Sequence, residues 1–567
     1  MNSGMGVPPM SDASEVKKIW MNKDLLTFEC SSHGRDAHAT AHTTATLRQF
    51  LAPALVFIVA CLDRQFQTDF WLHLARGCEI VSTGAWITVD HFTAAARGAT
   101  VRDANWLSGV IYCRLFTAGG LKLVQTVNAA VLAAAFWLLT RLCRRSGATW
   151  RAAGAAAVVT FLLAWQTFLI RPQSFSILLF VLLYGVLSDP NRKGLLLWPP
   201  LILCLWANLH GGFVVGLGLI AAFALAEALC LCFPLPVLRE RVRVRAGLGQ
   251  TDPHPGPLLF EPEPQSRRPE YRERGQEGAR RLMVLCGTLL LSLLATLINP
   301  YGWGVYQYAI SLTATVLPRH IEEWLPPSLG QWIGLAFVGS AILLVVLYAL
   351  ARRRPTVREA ILLVCFFFPA AHSVRVVVWW AIVLAPILAS LLTSLERGDE
   401  TASRHGSIVA AALCAALLIL CIASLPWLER FNPIFRSVRS PHRVESDLDA
   451  VARLMPSRPD GGLIFTRMEW AQFLDWRLGP TGRLFIDNHV ELFSDRTWRQ
   501  YCDVSAGADD WSQILTEYSV DYLLLDDTYQ AQLLSRVRSS GAWDESYRAG
   551  DAILFVRRHS ANRAGGA

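Results

Sequence analysis

The sequence predicts an all-α polytopic membrane bundle of about eleven spans, followed by a small C-terminal α/β domain. Three observations lead there. The 567 residues are 53% hydrophobic and only 17% charged, whereas soluble proteins carry about 25% charged residues. Apolar runs recur along most of the chain at the length that crosses a hydrocarbon core of ~30 Å, which takes ~20 residues as a helix. After residue 428 the pattern changes to short β-rich runs separated by polar turns. Length alone would suggest about three or four soluble domains, but the hydropathy overrides it.

Taken in order, residues 1–44 are rich in Ser, Thr, Ala and His with no apolar period, and read as a disordered cytoplasmic leader. No cleavable signal is evident, so the first apolar run reads as a retained span. Residues 45–428 hold candidate spans at 45–62, 121–142, 152–170, 173–188, 194–209, 211–233, 281–298, 332–351, 357–372, 375–396 and 406–428. Residues 63–120 form a long first outer loop. Residues 234–281, rich in Pro, Gly, Arg and Glu, read as a flexible basic cytoplasmic linker. Residues 429–567 read as a soluble extracytoplasmic domain. There "GGLIFT", "GRLFIDN", "VDYLLLDD" and "AILFVRR" are strand-like, and "TYQAQLLSRVRSSG" is helical.

Charge sets the orientation. With the N-terminus in the cytoplasm, Arg141, Arg144, Arg145, Arg151, Arg192, Lys193, the linker, Arg352, Arg353, Arg354, Arg358, Arg397 and Arg404 all fall on inner loops. This satisfies the positive-inside rule and predicts a multi-pass inner-membrane protein. The same placement accounts for the formal net charge of +8 and excludes nucleic acid as the partner. Most of the 13 cysteines lie in apolar runs, with no CxxC and no zinc-like spacing. There they read as small core residues.

The predicted outer ends of the spans differ from the inner ends. "CLDRQFQTDFWLHLARG" brings Asp63, Asp69 and His73 directly after an apolar run. Arg171 follows in "LIRPQSFS", Asn208 and His210 in "LWANLHGGF", Asn299 and Tyr301 in "INPYG", His320, Glu322, Glu323 and Trp324 in "RHIEEWLPPS", and His372 and Arg375 in "AAHSVRVVVWW". Lone polar groups at a membrane boundary are costly and often functional. Together they predict one polar cavity under the first loop and the tail. Arg171 and Arg375 suit an anionic phosphate. Asp63 and Asp69 suit proton abstraction or metal ligation. Asp69 and His73, four apart on a helix, make either a base with its orienting partner or two ligands to a divalent cation, Mn or Mg. Plainer readings stand beside these. Asp63 caps a helix, His73 is a satisfied interfacial histidine, Arg171 anchors a span end, and Glu322–Trp324 is a solvated loop. In "FIDNHVELF", Asp487, His489 and Glu491 read as polar surface positions first, with a place facing the site as the alternative.

These residues carry a family resemblance. The chain resembles the GT-C superfamily of polytopic membrane glycosyltransferases, which includes protein O-mannosyltransferases, aminoarabinose transferases of lipid A and galacturonosyltransferases. It looks most like an uncharacterised bacterial branch. The marks are "D-x5-D-x-W-x-H-L-x-x-G" at Asp63, Asp69, Trp71, His73 and Gly77, "VDHFT" with Asp90, "NWL" with Asn105 and Trp106, and "RPQSFS", "WANLHGGF", "NPYG" and "FIDNHVELF". The resemblance covers about 45–560. It implies a polyprenyl-phosphate sugar donor, a cavity for its lipid tail, and a glycan, lipid or protein acceptor. It makes Asp63 or Asp69 the catalytic acid, and Arg171 or Arg375 a phosphate contact. His73, Asp90, Trp106, Asn208, His210 and Glu323 join as substrate-binding candidates. Two positions depart from the superfamily pattern: Asp63-Arg64 stands where Asp-Glu is expected, and Asn105 where an acid is expected. The competing readings are a transporter or flippase of lipid-linked solutes, and a non-catalytic scaffold with an outer binding domain.

Overall fold

The computed structural model describes residues 35–62, 68–189, 194–232, 268–316, 319, 321–396, 404–431, 443–455, 462–481 and 483–558. Asp63, His320 and most of the predicted leader and linker lie outside them. The chain divides into two compact units: residues 1–47 with 398–414, and residues 48–397 with 415–567. The described part of the first unit is helical. Two helices run across the division, and the packing and the site described below belong to the second unit.

Each of the eleven predicted spans falls on a helix. These are α1 (Arg35–Leu62), α3 (Trp106–Arg145), α4 (Trp150–Ala164), α5 (Gln173–Leu187), α6 (Trp198–Leu209), α7 (Phe213–Cys232), α8 (Arg268–Ala295), α10 (Trp332–Leu350), α11 (Val357–His372), α12 (Val377–Leu395) and α13 (Arg404–Ala423). Among the described residues, five stretches are long and apolar enough to cross a membrane: Trp106–Arg145, Phe213–Cys232, Gly275–Ala295, Trp332–Leu350 and Val374–Leu395. Shorter apolar helices stand between them. Several boundaries differ from the expectation: α3 starts at Trp106 inside the predicted first loop, α4 stops at Ala164 and α13 at Ala423. Helix α1 starts at Arg35 inside the predicted leader, and α8 starts at Arg268 inside the predicted linker.

The bundle is organised around α12, which is buried along nearly its whole length. The alanine-rich α4 packs on it through Ala152, Ala153, Ala156 and Ala157. Small side chains let helices approach closely where no aqueous hydrophobic force drives them together. By contrast α8 and α10 turn Leu290, Leu294, Ile342, Val345 and Leu350 outward, an apolar surface of the kind lipid covers.

The first long loop is itself built. Helix α2 (Thr68–Thr83) packs against the front of α3. Helix α3 breaks at Gly119–Gly120, where Gly120 has φ 64°, so residues 106–118 form a separate arm before the span. A side chain on Gly77 would meet the backbone of Gly109 at 2.0 Å, so α2 and the arm touch backbone to backbone. The Cys78–Cys113 disulfide closes the same crossing. Neither cysteine lies in the apolar runs. At the end of α1, Gln125 Nε2 donates to the carbonyls of Ala60 (3.2 Å) and Cys61 (2.9 Å), groups that the helix itself leaves unpaired.

The C-terminal domain holds a four-stranded sheet of order β1-β2-β4-β3, with β1 (Leu463–Thr466), β2 (Val520–Asp526), β3 (Trp543–Ala549) and β4 (Ala552–Arg557). β1 and β2 are parallel; β2–β4 and β3–β4 are antiparallel. "GRLFIDN" contributes isolated bridges from Leu484 to Ile464 and Thr93 rather than a full strand. One apolar cluster runs from Phe70, Trp71, Leu74 and Tyr112 into Leu448, Trp470, Phe473 and Leu474. The domain is therefore seated on α2 and the arm, chiefly through α15 (Met468–Leu478). Its remaining helices are α14 (Arg443–Ala452), α16 (Asp495–Ala506), α17 (Trp511–Glu517) and α18 (Ala531–Ser540), and α9 (Gly304–Val316) precedes α10.

The Gly77–Gly109 crossing yields a test. Gly77→Ala forces the two helices apart and lowers stability by about 1–3 kcal/mol. Gly218→Ala in α7, with open space around it, does not. Thermal unfolding of the purified proteins in detergent compares them, and an unchanged midpoint for Gly77→Ala contradicts the close approach.

Candidate active site

Four of the predicted residues, from four separate segments, meet in one ion-paired chain. Arg171 Nε lies 3.2 Å from Asp69 Oδ2, and its Nη1 lies 2.5 Å from Glu323 Oε1. Arg375 Nη1 lies 3.6 Å from Glu323 Oε2, and its guanidinium sits 5.3 Å from the centre of the Trp324 ring. Asp69 keeps 23% of its side chain exposed and Glu323 40%, so the chain is open to a ligand.

Local structure explains how each side chain arrives. Asp69 sits in the first turn of α2, where a carboxylate complements the helix dipole. Arg171 ends a loop held by Asn128, whose Nδ2 donates to the carbonyls of Phe168 (3.4 Å) and Leu169 (3.3 Å). Arg375 lies in a single 3-10 turn, Val374–Val376, between α11 and α12. That turn is tied to the Glu323 segment twice: Val374 N–H donates to Leu325 O (3.0 Å), and Ser373 Oγ donates to Glu323 O (3.3 Å).

Burial alone would raise the Asp69 carboxyl, but Arg171, Arg375 and His73, with the Asn488 amide, outweigh it and hold it below the usual range. Asp69 is an ionised base at neutral pH. His73, one turn further along α2, is kept neutral by burial, with Arg76 and Arg171 acting in the same direction against Asp103 and Asp69. Its Nδ1 is buried and has no protein partner. His210 stands within electrostatic reach of Arg375, His73 and Asp69, with Nδ1 at 2.6 Å from Ser176 Oγ.

The other candidates have structural partners. Trp106 Nε1 donates to Asn208 Oδ1 (3.1 Å), and Asn208 Nδ2 donates to Cys204 O and Ile298 O (both 2.8 Å). They brace the arm against α6 and the end of α8. Asp90 is fully buried beside Arg76, not in the Arg171 chain.

Arg76 reveals a second polar cluster, which the sequence reading missed. Only 1% of its side chain is exposed. Its Nη2 lies 2.9 Å from Asp487 Oδ2 and 3.4 Å from Asp90 Oδ1, and its guanidinium stacks 4.6 Å from the Phe92 ring. Burial, reinforced by Asp487 and Asp90, pushes Asp475 well above the usual carboxylate range. Burial likewise pushes Glu491 up to about 7. The expectation that "FIDNHVELF" is surface is therefore corrected. Asp487 and His489 are buried, and Asn488 Nδ2 donates to Asp69 Oδ1 at 3.2 Å. The run of polar residues suggested a solvated face, but Asp487 and Asn488 meet α2. The available signal was Arg76, a lone cation two turns beyond Asp69 on the same helical face.

Asp69 and His73 were also candidate ligands for a divalent cation. The two Asp69 oxygens face the donors of Arg171 and Asn488, and among the described residues no three His, Cys, Asp or Glu side chains are grouped to hold an ion. Mn or Mg takes about six mostly oxygen ligands, so the pair alone would not complete the shell of such an ion.

Fold and site together define a polytopic membrane protein with a paired-arginine site roofed by a small α/β domain. No protein-family model matches the chain, and no curated protein matches it. Among solved structures the chain is similar to the oligosaccharyltransferase of Archaeoglobus fulgidus, in complex with Zn and sulfate. That likeness has 12% identity and a TM-score of 0.45, over 84% of this chain and 68% of the other. It is also similar to ArnT from Cupriavidus metallidurans bound to undecaprenyl phosphate, at 14% identity and a TM-score of 0.43, over 95% of this chain and 100% of the other.

The Arg76 cluster yields a test. Arg76→Met leaves Asp90 and Asp487 buried without their cation, which costs about 3–5 kcal/mol. Adding Asp487→Asn restores part of the loss. Thermal unfolding and release of the C-terminal domain by limited proteolysis measure both. An Arg76→Met protein as stable as wild type contradicts the cluster's role.

Proposed function

We propose that this protein is a membrane glycosyltransferase that moves a sugar from a polyprenyl-phosphate donor to a hydroxyl of an extracytoplasmic glycan, lipid or protein. One observation carries the reading. Two always-charged guanidinium groups, Arg171 and Arg375, converge beside an ionised carboxylate, Asp69, at the end of the bundle roofed by the C-terminal domain.

The chemistry follows from those groups. The acceptor hydroxyl gives its proton to Asp69 as its oxygen bonds to the anomeric carbon. The bond from that carbon to the phosphate oxygen breaks, and its electron pair leaves on polyprenyl phosphate. Arg171 and Arg375 hold that phosphate and stabilise the growing charge. By analogy with glycoside hydrolysis the transition state has oxocarbenium character. Glu323 now sits between both arginines, where the donor phosphate would bind, so the phosphate displaces it. His73 and His210 line the approach, and Trp106 and Asn208 keep the arm in place. Asp63 remains the alternative acid.

The placement outside the cytoplasm has two supports. The positive-inside pattern puts the arginine-rich loops in the cytoplasm, and a disulfide such as Cys78–Cys113 persists in an oxidising compartment. An alkaline-phosphatase reporter fused at the C-terminus should therefore be active. A reporter that stays cytosolic reverses the topology.

The enzymatic test is direct. Membranes supplied with a panel of undecaprenyl-phosphate sugars, read by mass spectrometry of the products, should show transfer by wild type. Asp69→Asn lowers it by about 10²-fold or more, and Arg171→Ala weakens donor use. Uptake of a labelled solute into proteoliposomes with no transfer for any sugar would favour a transporter and overturn the proposal.

A further inference from the structure

We propose that Asn488, supplied by the C-terminal domain, is a positioning residue that fixes the Asp69 carboxylate for its task. This inference rests on the reading of Asp69 as the base.

The segment carrying Asn488 is held from both sides. Ala94 N–H donates to Leu484 O (2.7 Å) and Ala95 N–H to Phe485 O (3.3 Å), which stitches the first loop to its start. Asp487 is locked between Arg76 and its own turn, because Oδ1 accepts the His489 N–H at 2.8 Å. At its end, Arg319 donates to the carbonyls of Val490 and Phe493, reaches Asp495 Oδ1 at 3.1 Å, and stacks on Trp498. A turn pinned at three places carries little freedom, so the direction of the Asn488 side chain is set by the framework.

That side chain ends on Asp69 Oδ1, while Arg171 bears on Oδ2. Each carboxylate oxygen therefore meets a donor from a different segment, and rotating the group would lose both contacts. An ionised carboxylate has about four acceptor positions, more than these two donors fill. The amide must present its nitrogen to Asp69, since the opposite flip would set oxygen against carboxylate. Its carbonyl oxygen is then buried without a protein partner, as is Nδ1 of His73. Buried polar atoms of this kind are normally satisfied. On this account the C-terminal domain completes the site as well as roofing it.

The charged and titratable groups around Asp69 are Arg171, Arg375, His73, His210 and, from the arm, Tyr112. Removing the Asn488 donor leaves all of them in place and raises the pH at which Asp69 takes a proton. Carbodiimide labelling of the full-length protein in detergent, resolved by peptide mass spectrometry, reads that protonation without any substrate. Asn488→Ala should move the half-labelling pH of Asp69 up by about one unit, as expected for a hydrogen bond to a charged group. Asn488→Ser, which keeps a donor, should move it less. Neither should change undecaprenyl-phosphate binding by more than about twofold. A purely structural role would lower thermal stability and leave the labelling midpoint where it was, which would overturn the proposal. If Asp69→Asn still transfers sugar, the reading of the site fails, and this inference with it. If Asp69→Asn is inactive but Asn488→Ala and Asn488→Ser both leave the midpoint unmoved, only the role of Asn488 fails.

Discussion

A guanidinium taken out of water must be compensated where it stands, and Arg76 is the group on which the rest of this structure depends. Its partners come from both sides of a domain boundary: Asp90 from the first loop and Asp487 from the C-terminal domain. Because all three are buried, the cluster tolerates little displacement, and it fixes the angle at which the α/β domain sits on α2. The apolar contacts of Phe70, Trp71 and Leu74 with Phe473 and Leu474 add area to the same seat. Area is non-directional. The ion pairs give the seat its register.

Helix α2 then becomes a ruler. Asp69, His73 and Arg76 lie at positions i, i+4 and i+7, on one face. Arg76 fastens that face to the roof at one end, and Asp69 presents a carboxylate to the membrane-side arginines at the other. The two ends are electrostatically opposite. Around Arg76, carboxylates outnumber the cation, and Asp475, Asp487 and Glu491 are pushed up by burial and by one another. Around Asp69, cations dominate, and its carboxyl is held low. Environments that push neighbouring acids in opposite directions are how a site separates a proton holder from a charged base. Here the separation is two helical turns.

The sequence showed the bundle plainly, because long apolar runs are the strongest signal a chain carries, and all eleven candidate spans lie on helices. It also showed the right side chains at the span ends: Asp69, Arg171, Glu323 and Arg375 do meet. It did not show the pairing among them. Nothing local to "RHIEEW" says that Glu323 will bridge two arginines far away in the chain. The C-terminal contribution was hidden for the opposite reason. "FIDNHVELF" sets Asp, Asn and His in a row, which reads as exposed, and only docking onto α2 covers them. Cys78 and Cys113 fall outside the apolar runs, and their pairing needed the Gly77–Gly109 crossing, where two glycines let backbones touch.

Glu323 completes the logic of a site at a membrane boundary. Two unpaired guanidinium groups there would be costly, and an arginine cannot escape by losing its proton. The protein therefore supplies anions of its own. Glu323 does this from a short turn tied to the Arg375 loop by two hydrogen bonds, so the neutralising carboxylate and the cations it serves belong to one local assembly. Asp69 shares that duty, because Arg171 pairs with both acids. Arg171 meets Asp69 through Nε and Glu323 through Nη1, and Glu323 reaches on to Arg375, so the two acids differ by geometry rather than by chemistry.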